Sequence, residues 1–193
     1  MLKEFKSALF MLLLMTLLTG GLYPALITGL SQTLFPYQAH GSLIHHQGTI
    51  VGSNLIGQPF SDAGYFWSRP SATTPMPYNA GSSSGSNTGP TNPDLETIVK
   101  DRITSLKESN PQQKLPIPVD LVTASASGLD PHISPAAAQW QIPRVAQARG
   151  LSEQALGDLV TQHTEGRTFG ILGEPRVNIL TLNQALDQGR AKP

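Results

Sequence analysis

Residues Ser7 to Leu30 read SALFMLLLMTLLTGGLYPALITGL, and no Asp, Glu, Lys or Arg occurs between Ser7 and Ser61. As a helix rising ~1.5 Å per residue, the stretch reaches roughly 36 Å. A hydrocarbon core ~30 Å thick needs only about 20 residues, so the stretch can cross it with some tilt. The sequence therefore predicts one transmembrane helix over 7–30, a short N-terminus at 1–6, and a domain over 31–193. Gly20, Gly21 and Pro24 would weaken a helix in water, whereas a membrane span tolerates them where neighbours or local backbone adjustments satisfy the freed groups. Paired small residues also let a second helix approach closely, which makes Gly20 and Gly21 the candidate helix-packing residues. A cleaved secretory signal is the rival reading. Against it, no A-x-A-like site follows Leu18, and the apolar pattern runs on to Leu30.

Charge sets the orientation. Lys3 and Lys6 precede the span and the next basic residue is Arg69, so the positive-inside rule puts the N-terminus in the cytoplasm and 31–193 outside. The 193 residues carry 13 basic and 13 acidic side chains, for a net charge of zero. Nucleic acid, which demands a clustered basic surface, is not an expected partner. With no cysteine in the chain, a disulfide framework, a thiolate zinc site, a cysteine nucleophile and a lipoprotein anchor are all excluded.

Beyond the span the sequence predicts an α/β (α+β) extracytoplasmic domain. SLIHHQGTIV (Ser42–Val51) reads as two short strands around a Gln47-Gly48 turn. Gly57–Trp67 mixes aromatics with turn residues and is expected to pack near that ribbon. Ser68–Asn92 is dominated by Ser, Gly, Pro, Thr and Asn. A loop of that kind is either a solvated excursion or functional, and its hydroxyls and carbonyls are hard oxygen donors of the sort that suit alkali cations. Asn92 then caps a helix with Pro93 at its first position, and Leu95, Ile98, Val99, Ile103 and Leu106 form its core face. A short strand is expected over Ile117–Val122. Helices are expected from Ser134-Pro135, broken or restarted at Pro143 and closed by Gly150, and from Ser152. Arg176–Leu180 reads as a strand, and Thr181-x-x-Gln184 as a capping box opening a last helix.

Candidate chemistry is sparse. The chain has neither a G-x-x-x-x-G-K-[ST] loop nor a D-K-T-G phosphorylation motif. ASASGLDPH places Ser125, Ser127, Asp130 and His132 close together, which raises an exported serine hydrolase as one alternative. Three side chains so near in sequence do not easily align as nucleophile, base and orienting group, and a tight turn is the favoured reading. His45 and His46, as strand neighbours, face opposite sides and would not share an ion. Arg144 and Arg149 flank an Ala-rich helix; they are read by default as solvated, with pairing to a partner's acidic residues as the alternative. No covalently bound cofactor or metal is expected.

Several blocks, in order, resemble the C subunit of the Kdp-type potassium-transporting P-type ATPase. They are TGGLYPALITGL (Thr19–Leu30), GSLI (Gly41–Ile44), SNLIGQPF (Ser53–Phe60), RPSAT (Arg69–Thr73), PYN (Pro77–Asn79), SGSN (Ser84–Asn87), NPDL (Asn92–Leu95), VTASASGLDPHISPAAAQWQIPRVAQARG (Val122–Gly150) and VNILTLNQALD (Val177–Asp187). The resemblance covers nearly the whole chain. It implies a non-catalytic, single-span accessory subunit of a bacterial inner-membrane complex for high-affinity potassium uptake. The implied partners are a P-type ATP-hydrolysing subunit, a channel-like potassium-translocating subunit and a small single-span subunit. It also implies a role in assembly and as a catalytic chaperone that raises the ATP affinity of the hydrolysing subunit. The complex handles ATP and potassium, and an outer domain would influence ATP only by coupling through the membrane. On this reading Ser125, Ser127, Gly128, Asp130 and Arg144 are partner or turn candidates, and the loop at 68–92 borders the outer potassium entrance. A freestanding membrane-anchored binding domain is the remaining alternative.

Overall fold

A computed structural model of the chain describes residues 2–189. It divides into two compact units, Met1–Val51 and Gly52–Pro193.

The first unit is built on the apolar segment. Helix α1 (Leu2–Leu17) passes through one widened π turn (Leu18–Leu22) into α2 (Tyr23–Leu34), giving a continuous helix of 33 residues, long and apolar enough to cross a membrane. The widened turn has a local cause. Pro24 has no N–H to give the carbonyl of Gly20, and its ring crowds that carbonyl. The Tyr23 N–H instead reaches back to the Leu18 carbonyl, so the turn takes up one extra residue. Polar side chains in the helix bond back onto it: Thr19 Oγ1 donates to the Met15 carbonyl at 2.7 Å and Thr33 Oγ1 to the Gly29 carbonyl at 2.9 Å. These bonds remove the hydroxyl groups' need for water. A short α3 (Pro36–Ala39) follows, and then the ribbon of β1 (Leu43–His46) and β2 (Thr49–Ser53). Gln47 and Gly48 both take positive φ, +49° and +80°, the mirror-image turn that fits a two-residue hairpin loop.

The second unit surrounds a central helix. α5 (Pro135–Arg149) buries Ala137, Ala138, Trp140, Gln141, Ile142, Arg144, Val145 and Ala146, so it touches protein on most of its circumference. Ser134 caps it by accepting the Ala137 N–H, and Gly150 at φ +64° closes it in the left-handed conformation. The helix runs through Pro143 without restarting. In the turn that the proline disturbs, the Trp140 carbonyl accepts Asn110 Nδ2 at 2.9 Å and Gln113 Nε2 at 3.0 Å. Around α5 lie α4 (Pro93–Ser109), α6 (Glu153–Gln162) and α7 (Ile179–Asp187), with a three-stranded antiparallel sheet. In that sheet β5 (Arg176–Asn178) sits between β3 (His132–Ile133) and β4 (Thr164–Glu165). The fold is thus mixed helix and sheet, with Phe66, Leu156, Leu159, Val177 and Leu182 deep in the core.

Several expectations change. Ile117–Val122 forms no strand: Val119–Leu121 is a single 3-10 turn, which buries Leu121 and Val122 and leaves Val119 exposed. The last helix starts at Ile179, capped by Asn178 Oδ1 accepting the N–H groups of Leu180 and Thr181, so Thr181 lies inside the helix rather than at a capping box. Phe66 and Trp67 pack into the core against α5 and α7. On α4, Leu106 is buried while Ile98 stays exposed, so the predicted core face is only partly covered.

Candidate functional site at the Asp130 turn

The polar stretch 68–92 has no regular secondary structure, yet it is firmly held. Ser71 Oγ donates to the Gly128 carbonyl at 2.7 Å and accepts the Tyr78 N–H at 2.9 Å. Thr73 Oγ1, which is buried, donates to the Met76 carbonyl at 2.7 Å and accepts the Asn79 N–H at 3.0 Å. Ser84 N and Ser83 Oγ both donate to the Ser127 carbonyl, at 3.1 and 3.0 Å. The loop is therefore anchored to the turn at 125–132 through Ser71, Ser83 and Ser84, while residues 74–77, 80–83 and 89–92 stay exposed to solvent. Burial pushes the Tyr78 hydroxyl up to about 12, and that hydroxyl donates to the Arg69 carbonyl at 2.5 Å.

Facing the loop is the turn at 125–132. Ser125 Oγ accepts the Gly128 N–H at 2.9 Å and Ser127 Oγ the Leu129 N–H at 3.1 Å. Gly128 adopts φ +68°, and a Cβ there would lie 2.6 Å from both the Ser84 carbonyl and the Thr73 methyl, so only glycine fits where the turn meets the loop. Asp130 joins the two. Its Oδ2 meets Arg69 Nη1 at 2.9 Å, and its Oδ1 accepts the His132 N–H at 3.0 Å and faces His132 Nδ1 at 3.3 Å. Burial alone would raise the Asp130 carboxyl. The His132 hydrogen bonds and the Arg69 guanidinium outweigh that effect and hold it at about 2.

Beside this junction lies an open groove of about 490 Å³ lined in part by Arg69, Asp120, Asp130, His132, Glu174 and Arg176. Asp120 is already committed there, accepting Ser134 N at 2.7 Å and Ser134 Oγ at 3.1 Å. The arrangement suits polar recognition: the two turn hydroxyls each accept a backbone N–H, and His132 is oriented toward Asp130. Among the described residues no cluster of three or more metal-ligating side chains occurs.

The remaining candidates lie elsewhere. Arg144 is buried, contrary to the solvated-face reading. Its guanidinium donates to the Ala63 carbonyl and to Gln141 Oε1, each at 2.7 Å, and stacks 4.1 Å from the Trp67 ring centroid. Burial lowers it to about 10 despite the nearby Asp62 carboxylate. Arg149 donates to the Gly64 carbonyl at 2.6 Å and pairs with Asp187 at 2.9 Å. In the apolar helix, a Cβ at Gly20 would meet nothing within 4 Å, and one at Gly21 only Leu17 Cδ1 at 3.7 Å. Gly21 lines an apolar groove with Leu14, Leu17, Leu18, Leu22 and Ala25.

Sequence reasoning missed two carboxamides that hold the Phe66–Trp67 backbone. Asn183 accepts the Phe66 N–H and donates to the Phe66 carbonyl, both at 2.9 Å; Gln141 does the same for Trp67 at 2.7 and 3.0 Å. Each pair of bonds replaces what a neighbouring strand would provide. The available signal was a polar residue on a helix's apolar stripe, since Asn183 falls four after Ile179 and three before Leu186.

The chain was compared with known proteins. The family described as "KdpC: K+-transporting ATPase, c chain" matches residues 5–188. Proteins named "Potassium-transporting ATPase KdpC subunit" are similar along almost all of the chain. The protein from Methylococcus capsulatus is 62% identical over 187 residues, covering 97% of this chain and 98% of its own. That from Sorangium cellulosum is 57% identical over 190 residues, covering 98% and 100%, and that from Herpetosiphon aurantiacus 59% over 184 residues, covering 95% of each. Identity at this level runs from the apolar helix to the last helix, and on that basis the chain belongs to the KdpC family, the c chain of K+-transporting ATPases.

Proposed function

We propose that this chain is a single-span, non-catalytic accessory subunit of an ATP-driven potassium uptake complex in a bacterial inner membrane. The observation that carries this reading is the near-full-length likeness to proteins named as subunits of a potassium-transporting ATPase. The helix Leu2–Leu34 serves as the anchor, and Lys3 and Lys6 keep its N-terminus in the cytoplasm. The second unit then stands outside the cell beside an ATP-hydrolysing subunit, a channel-like subunit and a small single-span subunit. From there it stabilises the assembly. Its effect on ATP affinity passes through the membrane as a coupling free energy, without contact with nucleotide.

The ordered stretch 68–92 contributes an uncharged rim near the outer potassium entrance. Its one charged residue is Arg69, which Asp130 pairs with. A neutral oxygen-rich rim lets cations pass without trapping them. The test is growth at limiting potassium of cells that keep the companion subunits but lack this chain. Growth should fail and be restored by the full chain, whereas undiminished growth would contradict the proposal.

A further inference from the structure

The strands β4 and β5 are joined by a protruding hairpin whose tip is apolar. Every residue from Glu165 to Pro175 is exposed, including Phe169 at 88%, Ile171 at 74% and Leu172 at 57%. The hairpin is stiffened along its length. Glu165 and Arg176 pair at 2.9 Å at its base, and Arg167 Nη2 meets both carboxylate oxygens of Glu174 at 2.7 Å nearer the tip. Thr168 N donates to the Leu172 carbonyl at 2.9 Å, and Leu172 N returns to the Thr168 carbonyl at 3.0 Å. Within this closed turn Phe169 sits at φ +55°, a conformation that costs a bulky side chain energy and is held only because the surrounding bonds impose it.

An exposed phenylalanine on a stiff, strained turn does nothing for the stability of its own domain. It is preorganised for a partner, because little ordering entropy remains to be lost on binding. Charge narrows the kind of partner. The two acidic and two basic side chains flanking the tip neutralise each other in pairs, and residues 168–173 carry no charge. A loop adapted to a lipid surface would present unpaired Lys or Arg to headgroups, with Trp or Tyr at the interface, and this tip has neither. A head-to-tail contact with a second copy would leave open ends unless its rotation closed a ring.

We infer that the tip at Phe169, Ile171 and Leu172 is a docking knob that inserts into an uncharged apolar hollow on the outer surface of a companion membrane subunit. This rests on the accessory-subunit reading and names a contact for it. The test uses the full chain in native membranes with its companions, carrying a benzophenone amino acid in place of Phe169 or Ile171, with Gln154 on α6 as the control position. Irradiation should give a covalent adduct with a companion subunit from the tip positions and not from the control. In parallel, Phe169→Ser with Ile171→Ser should leave thermal stability unchanged and lower companion recovery roughly tenfold or more, as expected for the loss of two anchor side chains. Adducts only to lipid, only to a second copy or to nothing, with companions still recovered, would overturn the docking knob and leave the subunit reading standing. Absence of companions from the unsubstituted chain would overturn both.

Discussion

Asn183 and Gln141 show how much rests on single polar atoms in this core. Each carboxamide gives and takes a hydrogen bond with a backbone segment that has no strand beside it. Asn183→Ala leaves the Phe66 N–H and carbonyl without partners in a fully buried position, at about 1–3 kcal/mol per group. Chemical denaturation of the detergent-solubilised chain should show a loss of roughly 2–6 kcal/mol, against less than about 0.5 kcal/mol for the exposed Gln154→Ala. Asp130 makes a second residue-scale prediction. Its carboxyl is held at about 2 in the folded chain against an ordinary 3.8, so the folded state binds that proton more weakly than the unfolded state. The resulting stabilisation is complete above the ordinary value and is lost as pH falls from there through about 2. After solvent screening it amounts to on the order of 1–2 kcal/mol. Asp130→Asn should remove that part of the acid-side slope, and an unchanged difference between the two proteins from pH 6 to about pH 2 would count against the ion-pair account.

Among the elements, legibility followed the strength of local signals. The caps at Asn92, Ser134 and Ser152, the hairpin turn at Gln47-Gly48 and the apolar helix were readable because each depends on residues within a few positions. The expected strand at Ile117–Val122 was not. Val119 turns to solvent while the nearby Leu121 and Val122 are buried from a single 3-10 turn, a tertiary effect that the apolar pattern does not encode. The short strands β3 and β4 consist of two residues each, too few to leave a periodicity to detect, and β3 pairs with β5 across more than forty residues. Arg144 read as solvated because its partners, the Ala63 carbonyl and the Trp67 ring, lie far away in sequence. The helix Leu2–Leu34 carries two predictions at this scale. Gly21→Leu fills the apolar groove between Leu17 and Ala25, and should reduce co-purification of companion subunits several-fold without altering membrane insertion; normal recovery would deny it a packing role. Because the chain has no native cysteine, Ser82→Cys offers one exposed thiol. A membrane-impermeant maleimide should label it from outside intact spheroplasts, and labelling only after lysis would reverse the orientation.

Taken as a whole molecule, the chain joins an apolar helix long enough to cross a membrane to a second unit held together by polar detail. Its polar groups are used structurally: the Ser125 and Ser127 hydroxyls accept backbone N–H groups, Arg144 and Arg149 donate to carbonyls, and Asp130 and Glu174 pair with arginines. The candidate site was only partly legible in sequence. The turn at 125–132 could be recognised as a turn, while the loop that closes on it looked structureless, since its order comes from hydrogen bonds between Ser71, Ser83 and Ser84 and a segment some forty to sixty residues away. The most direct test of the accessory-subunit account is purification of the tagged full chain from its native membrane in mild detergent, with mass spectrometry of whatever co-purifies. The account predicts stoichiometric recovery of an ATP-hydrolysing P-type subunit and a channel-like subunit. Recovery of the chain alone, under conditions that keep other membrane complexes intact, would contradict it and favour a freestanding anchored domain.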